Sequence, residues 1–129
     1  MKKMLITGAT GFLGSRIVNF YNNSYDICRP THEEIDITNE ESVFRIFDDY
    51  KPDIVIHCAA VSDVGLCEKE PEKSYSINVE GSINIAKASE KKQAKCIICS
   101  SDQVYFGSPI KEPHKEEEML HPFNIYGQE

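Results

Sequence analysis

The chain has 129 residues, of which 40% are hydrophobic and 27% charged, and this size and composition fit one globular domain and exclude a disordered chain. Its net charge of −7 disfavours binding to nucleic acid or to an anionic membrane, because both partners are themselves negative. No apolar run approaches the roughly 20 residues of a spanning helix or forms a signal peptide, so we expect a cytoplasmic protein.

The five cysteines lie mostly in apolar runs, which is typical of a protein from a reducing compartment. Cys96 and Cys99 form the one CxxC motif. Residues three apart on a strand point to opposite faces, so this pair is not expected to close a disulfide or to chelate a metal. The histidines also lack the spacing of metal ligands. We therefore expect buried structural thiols and no metal site.

The first elements are predicted to be a strand, a tight turn and a helix. Met4 to Thr7 is a short apolar run that enters a glycine cluster, and helical spacing then continues to about Tyr21. A brief strand follows around Tyr25 to Cys28. Thr38 to Glu41 matches a capping box, which predicts the start of a second helix. This helix must end before Pro52, because proline cannot continue it. The apolar face expected for the first helix consists of Leu13, Ile17 and Phe20 or Tyr21.

The second half of the chain continues the alternation. Ile54 to Ala59 is a continuous apolar run, as in a strand covered on both faces. Pro71 opens a long helix to about Lys91, and Lys95 to Cys99 is a fourth strand, whereas the chain from Gly107 onward is predicted to be loop. Alternating strands and helices predict an α/β fold with a doubly wound parallel sheet. The apolar stripe expected for the long helix is Tyr75, Val79, Ile83 and Ala86.

Three glycines stand where the first strand meets the first helix. Gly8, Gly11 and Gly14 form a GxxGxxG motif, whose first spacing is one residue longer than in the common GxGxxG. Glycine allows the tight turn and the close approach of a pyrophosphate, which the free amides and the helix dipole then hold. The motif predicts a dinucleotide site, and the alternative is that the glycines serve close packing alone.

The residue after the second strand bears on cofactor preference. A NAD-specific site usually places an acid about 20 residues beyond the glycine turn, where it binds the ribose hydroxyl. Here that window holds Cys28 and Arg29. A guanidinium can pair with a 2′-phosphate, so NADP is favoured over NAD. The alternative is that Arg29 is a solvated surface residue.

Several further motifs combine with the glycine turn. The chain resembles the N-terminal part of the extended short-chain dehydrogenases/reductases, whose pattern includes TGxxGxxG, SSxxVYG and YxxxK. It is most similar to their dTDP-4-dehydrorhamnose reductase branch. The matching blocks are Thr7 to Gly14, Asp36 to Thr38, Ala59 and Ala60, Glu68 to Pro71, Asn78 to Gly81, Ser100 to Gly107 and Asn124 to Gly127.

The resemblance implies roles for individual residues. Ser101 would be the catalytic serine and Tyr126 the catalytic tyrosine. The glycines would hold the pyrophosphate, Asp36 and Ile37 would lie near the adenine, and the two alanines would line the cofactor channel. The cofactor-binding residues expected from the resemblance, together with Arg29, are Gly8, Thr10, Gly11, Phe12, Leu13, Gly14, Asp36, Ile37, Cys58, Ala59, Ala60 and Asn78.

The implied reaction is the reduction of a 4-keto nucleotide sugar with NADP or NAD as cofactor. Such a reaction needs a proton for the developing alkoxide, and a phenol with its ordinary pKa of about 10 needs cationic neighbours to supply it near neutral pH. The lysine of YxxxK would fall one place after Glu129. We therefore expect residues 1–129 to be the N-terminal NAD(P)-binding part of the enzyme, truncated after about four strands and inactive alone, with the substrate-binding part absent.

Two other functions remain open. The first is an NAD-dependent nucleotide-sugar epimerase or dehydratase on the same scaffold. The second is a non-catalytic regulatory subunit that uses the fold to bind NAD(P). As partners we expect a nucleotide-sugar substrate and either copies of the same chain or the rest of a longer chain, but neither nucleic acid nor a membrane.

Overall fold

The computed structural model describes residues 1–129 and contains one parallel sheet. Its strands lie in the order β2-β1-β3-β4, and all neighbours are parallel. The predicted α/β fold with a doubly wound, Rossmann-like sheet is confirmed, since the chain crosses from β2 past β1 to reach β3. The strands are β1 (Lys3–Thr7), β2 (Asp26–Cys28), β3 (Ile54–His57) and β4 (Lys95–Ile98).

Six α-helices connect or follow the strands, and none is long and apolar enough to cross a membrane. The predicted long helix is divided into α4 and α5 by a π-helical turn, Ser76–Glu80. One helix, α3, lies in a stretch for which none was predicted, and α6 lies in the predicted loop. The helices are α1 (Phe12–Tyr21), α2 (Glu40–Tyr50), α3 (Val64–Lys69), α4 (Pro71–Tyr75), α5 (Gly81–Lys91) and α6 (Ile125–Gln128).

The core consists of two apolar clusters, which receive alternate residues of β1. Leu5 belongs to the larger cluster, together with Phe47 of α2 and Ile85 of α5. Met4 and Ile6 belong to the smaller one, with Val18 of α1. Successive residues of a strand point to opposite faces, so the apolar run of β1 fits a strand covered on both sides.

The predicted apolar face of α1 is confirmed at Ile17 and Tyr21, which pack against the smaller cluster, and is wrong at Leu13 and Phe20. Gly14 and Val18 are buried, whereas Leu13 is 48% and Phe20 is 76% exposed. A Cβ on Gly14 would lie 2.8 Å from the carbonyl carbon of Gly8, so the helix packs with its glycine against the turn. This contact rotates the helix so that Ile17 and Val18, rather than Leu13, meet the sheet.

The stripe predicted for the long helix is wrong at Tyr75 and Ile83, which are exposed, whereas Val79 and Ala86 are half-buried. The buried positions are instead Ser74, Gly81 and Ile85, followed by Ala88 and Ser89. All of these except Ile85 are small residues that allow close packing, and a Cβ on Gly81 would lie 2.8 Å from Ile37 Cδ1. A face built mainly of small residues is not indicated by the spacing of large apolar side chains.

The N-cap of α2 is Asn39 rather than the predicted Thr38. The backbone N–H of Ser42 donates to Asn39 Oδ1 at 3.1 Å, in the usual N-cap geometry. The Thr38 hydroxyl turns back to Asp36, donating to its Oδ1 at 2.6 Å. Thr38 therefore stabilises the turn before the helix, and Asn39 caps the helix.

The expectation of buried thiols holds for Cys67 but is wrong for Cys99, which is exposed at the end of β4. The other three thiols are half-buried. Cys96 packs against the larger core cluster and Cys58 against the smaller one. Cys99 lies one residue beyond β4, where the chain leaves the sheet.

Candidate dinucleotide site

The glycine turn between β1 and α1 is too tight for a side chain at Gly8. This residue has φ +67°, and a Cβ there would lie 2.7 Å from the amide nitrogen of Ala59. The Gly11 N–H donates to the Gly8 carbonyl at 3.0 Å, which closes the turn. Only glycine combines this left-handed conformation with so close a neighbouring backbone. The turn is thus pressed against the end of β3.

The N-terminus of α1 follows this turn and has no side-chain cap, since its N-cap residue is Gly11. The first amides of a helix have no intrahelical partner and carry the positive end of the helix dipole. Such a terminus at a glycine turn is a site for a phosphate group. Phe12 at its start is 78% exposed, and the Arg16 guanidinium stacks on its ring at 3.7 Å.

A cavity of about 640 Å³ opens at the carboxyl ends of β1, β3 and β4. Glu129 is the one formally charged residue in its lining, so a phosphate there would be held by amides rather than by lysine or arginine. The lining includes these expected residues: Gly8, Gly11, Phe12, Leu13, Gly14, Cys58, Ala59, Ala60, Asn78, Ser101 and Tyr126.

A second cavity, of about 390 Å³, lies on the β2 side of the glycine turn and shares Gly8, Ala59 and Ala60 with the first. Thr10, Asp36 and Ile37 line it, as the sequence led us to expect. The two cavities therefore adjoin at the glycine turn and form an elongated site with two lobes.

Arg29 lines neither cavity, unlike every other expected cofactor residue. It is exposed directly after β2, and the next residues, Pro30, Thr31 and His32, do line the smaller cavity. The structure thus places Arg29 beside the rim of the site and not within it. Its role in cofactor preference stays a prediction.

Ser101 caps the short 3₁₀ helix Asp102–Tyr105 that follows β4. Its Oγ accepts a hydrogen bond from the Gln103 N–H at 3.2 Å. A hydroxyl that accepts through a lone pair keeps its own hydrogen, so Ser101 can still donate into the cavity it lines. The serine is therefore positioned by backbone and free to bind an oxygen atom.

Tyr126 stands in α6, a helix that Asn124 fixes to the serine segment. The Gly127 N–H donates to Asn124 Oδ1 at 2.7 Å, and Asn124 Nδ2 donates to Gln103 Oε1 at 2.9 Å. A Cβ on Gly127 would lie 2.9 Å from the Gln103 carbonyl oxygen, so the helix and the 3₁₀ turn are in close contact. These contacts bring Tyr126 and Ser101 into the lining of one cavity.

Asn78, in the π-helical turn, connects the segment after β3 with the residue that follows α6. Its amide exchanges two hydrogen bonds with the backbone of Val61, at 2.8 and 2.9 Å. Its Nδ2 also donates to Glu129 Oε2 at 2.7 Å, and the hydroxyl of Ser74 donates to the other carboxylate oxygen at 2.5 Å. The role of Glu129 was not foreseen, because nothing in the local sequence indicates a partner this far along the chain.

A buried histidine, also not foreseen, supports the floor of the site. His57 Nδ1 lies 2.6 Å from Thr7 Oγ1, and its Nε2 lies 3.1 Å from Ser82 Oγ. Burial lowers the pKa of His57 to about 4, so the ring is neutral at physiological pH. Because Thr7 Oγ1 also accepts from the Ala59 N–H at 3.3 Å, the network holds the glycine turn against β3.

The residues present fit a dinucleotide. The turn leaves no room for a Cβ where a pyrophosphate would approach, an uncapped helix N-terminus faces that position, and the lobes on either side have volumes usual for ligand sites. The site lies at the carboxyl ends of parallel strands, where ligands bind in open α/β sheets.

Comparisons with known proteins agree with this geometry. The chain is 35% identical over 129 residues to dTDP-4-dehydrorhamnose reductase of Aggregatibacter actinomycetemcomitans, covering 98% of the chain and 44% of that protein. It is 36% identical over 134 residues to methionine adenosyltransferase 2 subunit beta of Xenopus laevis, covering 98% of the chain and 40% of that protein. The chain thus spans less than half the length of these curated relatives.

Among solved structures, dTDP-4-dehydrorhamnose reductase from Bacillus anthracis in complex with NADP matches with a TM-score of 0.92 and 38% identity, over 99% of this chain and 46% of that chain. The family model described as RmlD substrate binding domain matches residues 1–129. The resemblance inferred from the motifs is therefore confirmed. Because the match covers every residue, the chain belongs to the RmlD substrate binding domain family.

Proposed function

We propose that the chain forms the cofactor-binding half of an NADP(H)-dependent reductase of a 4-keto nucleotide sugar, as in dTDP-rhamnose biosynthesis. The proposal rests on one observation. The glycine turn, which has no room for a side chain at Gly8, borders the same cavity that Ser101 and Tyr126 line. The similarity to reductases, one of them in complex with NADP, supports this choice.

In this mechanism the glycine turn and the first amides of α1 bind the pyrophosphate. Ala59 and Ala60 let the cofactor pass between the two lobes, because their side chains occupy little of the shared space. Reduced nicotinamide, when bound, supplies a hydride to the carbonyl carbon of the sugar. The Ser101 hydroxyl donates a hydrogen bond to the carbonyl oxygen, and the Tyr126 phenol gives it the proton that completes the alcohol.

The test is turnover of dTDP-4-dehydrorhamnose by the full-length protein, followed as loss of NADPH absorbance. Tyr126→Phe removes a proton donor that is used only as charge develops, so kcat should fall by about 10² to 10⁴ with nearly unchanged NADPH affinity. Ser101→Ala should act in the same direction and less severely. Tyr75→Phe is the matched control, because Tyr75 is exposed and lines neither cavity. Unchanged turnover in Tyr126→Phe would contradict the assignment.

A second candidate is a non-catalytic subunit that binds NAD(P), which the similarity to methionine adenosyltransferase 2 subunit beta favours. Under this alternative the protein binds dinucleotide without consuming it. Gly14→Ala would then abolish dinucleotide binding, because the new Cβ would meet the Gly8 backbone. Neither the wild type nor any variant would reduce a substrate. Gly65→Ala in α3 is the control for a glycine outside the turn.

A further inference from the structure

Two cysteines meet at the edge of the larger cavity. Cys58 follows β3 and Cys99 follows β4, and the register pairs the preceding residues, His57 and Ile98. The Cys99 N–H donates to the His57 carbonyl at 3.3 Å, which continues the pairing beyond the strands. The two Sγ atoms are 3.7 Å apart, in direct contact. Their positions in the sequence are 41 residues apart.

This pair differs from the other three thiols in its access and its surroundings. Cys99 is exposed, Cys58 is half-buried, and both line the larger cavity. Cys28 and Cys96 pack against the larger core cluster and, unlike Cys58, line neither cavity. Cys67 is buried, with its thiol donating to the Val61 carbonyl at 3.5 Å. Of the five thiols, only Cys58 and Cys99 contact each other and line the larger cavity.

We propose that Cys58 and Cys99 are a redox-active dithiol, which closes to an intramolecular disulfide and thereby weakens dinucleotide binding in the adjoining cavity. The geometry allows the bond, because neighbouring strands lie about 4.8 Å apart and disulfides join Cα atoms at about 4.4 to 6.8 Å. The effect on binding rests on the proposed function, whereas the formation of the disulfide does not.

The oxidant is a low-molecular-weight disulfide, and the step is thiol–disulfide exchange. The Cys99 thiolate attacks one sulfur of the oxidant, forms a mixed disulfide and releases one small thiol. Cys58 then gives up its proton to water, its thiolate attacks Cys99 Sγ, and the mixed disulfide breaks to release the second small thiolate, which takes up a proton. Two protein thiols are oxidised to one disulfide, and one small disulfide is reduced to two thiols.

The order of attack follows from the surroundings of the two sulfurs. Burial and the hydrogen bond with Cys99 raise the pKa of the Cys58 thiol to about 12, so it is protonated at neutral pH. Thiolates, not thiols, are the nucleophiles of this exchange. Cys99 is exposed whereas Cys58 is half-buried, so the oxidant reaches Cys99 first and Cys58 resolves the mixed disulfide.

Closing the bond changes the lining of the cavity, because the two side chains that must rotate to form it both line that cavity. The sulfurs must approach from 3.7 Å to the bonded distance of about 2.0 Å. The Cys58 carbonyl carbon lies 2.8 Å from the position of a Gly8 Cβ, so a shift of Cys58 is felt by the glycine turn. On the other side Ser100 and Ser101 follow Cys99 directly. The disulfide therefore alters two side chains of the cavity, next to the glycine turn and the serine segment that the dinucleotide would contact.

The first measurement maps the disulfide. The purified protein is equilibrated with mixtures of oxidised and reduced glutathione, alkylated and digested, and the peptides are identified by mass. We expect a Cys58–Cys99 link that reducing glutathione reverses. Cys99→Ala should show no link, and Cys96→Ala, which removes the other cysteine of the CxxC motif, should retain it. Glutathione adducts without a Cys58–Cys99 link, or a link through Cys96, would overturn the dithiol.

The second measurement is NADPH affinity, read by fluorescence titration of the reduced and the oxidised protein. Coupling between two sites is typically about 5- to 150-fold in affinity, and we expect a rise of Kd in this range on oxidation, reversed by dithiothreitol and absent in Cys99→Ala. A mapped disulfide with unchanged Kd would refute the coupling. A reduced protein that binds no dinucleotide would refute the coupling and the proposed function together, while the peptide map would still decide on the dithiol.

Discussion

One arrangement of protons satisfies every hydrogen bond around His57. The Ser82 hydroxyl donates to the Asn78 carbonyl at 2.5 Å, so its oxygen accepts from His57 Nε2–H. The ring then has a lone pair on Nδ1, which accepts from the Thr7 hydroxyl. A second proton, on Nδ1, would point at the hydrogen of the Thr7 hydroxyl, and the hydrogen bond between them would be lost. The network therefore requires a neutral imidazole, in agreement with the lowered pKa of His57.

This network makes stability depend on pH. The pKa of His57 is lowered from 6.5 to about 4 in the folded protein, so the unfolded chain takes up its proton first as the pH falls. The stabilisation is complete above about pH 6.5 and is lost between about pH 6.5 and pH 4, by roughly 3 kcal/mol. Urea unfolding at several pH values across this window measures the loss.

Carboxylates also titrate in this pH window, so the contribution of His57 is obtained by comparing the wild type with a variant that lacks the imidazole. His57→Gln should have a smaller dependence of unfolding free energy on pH than the wild type. His32→Gln changes an exposed histidine and should have the wild-type dependence. Parallel profiles for the wild type and His57→Gln would show that the imidazole does not control this behaviour.

Arg29 carries the prediction of cofactor preference. It is exposed at the rim of the smaller cavity, where a guanidinium can pair with a 2′-phosphate and an acid can pair with a ribose hydroxyl. NADPH should therefore bind more tightly than NADH, and Arg29→Asp should reverse or abolish the difference. Calorimetric titration of both nucleotides measures it. Arg45→Asp makes the same charge change on α2 and should retain the preference; equal affinities in the wild type would make Arg29 a solvated residue.

At the scale of elements, the N-cap of α2 is a single side chain with a measurable effect. Asn39→Ala removes the acceptor of the Ser42 N–H and should lower the free energy of unfolding by about 1 kcal/mol. Asn39→Asp keeps an acceptor at the same place and should retain most of the stability. Chemical denaturation compares the two variants with the wild type. Equal losses in both would mean that the cap contributes nothing through this hydrogen bond.

The elements differ in how far the sequence could predict them. The strands and the glycine turn were predicted because their signals are local: an apolar run such as Met4 to Thr7 and a glycine at the point of reversal. The predicted helix faces were wrong where a tertiary contact determines which face is buried, as in α1, where Gly14 packs against the turn at Gly8. The contacts of Cys58 with Cys99 and of Asn78 with Glu129 depend on which elements become neighbours, and no local pattern encodes that.

The acidic net charge does not exclude the proposed phosphate site, because all charged residues except Glu129 lie outside the lining of the larger cavity. The chain has a net charge of −7, yet the larger cavity has one charged residue, Glu129, and its carboxylate accepts hydrogen bonds from Ser74 and Asn78. Its charge is thus partly neutralised by fixed donors. In the proposed site the backbone amides at the start of α1 would provide the attraction for a phosphate.

The open edge of the sheet leads to the last prediction. β4 pairs with β3 on one side and has no strand on the other, and its residues Ile97 and Ile98 are 43% and 47% exposed. An unpaired apolar edge offers free backbone groups to another chain. We therefore expect the polypeptide of residues 1–129 to self-associate as its concentration rises.

Analytical ultracentrifugation over a range of concentrations measures this association. Ile97→Lys places a charge on the edge strand, where lysine hinders pairing, and should shift the protein towards the monomer. Phe20→Lys removes a side chain that is even more exposed, at 76%, but lies on α1 away from the edge, and should leave the association unchanged. If both variants weakened association equally, general surface hydrophobicity would be the cause. A wild-type chain that remains monomeric at every concentration would show that the exposed edge of β4 does not recruit a second copy.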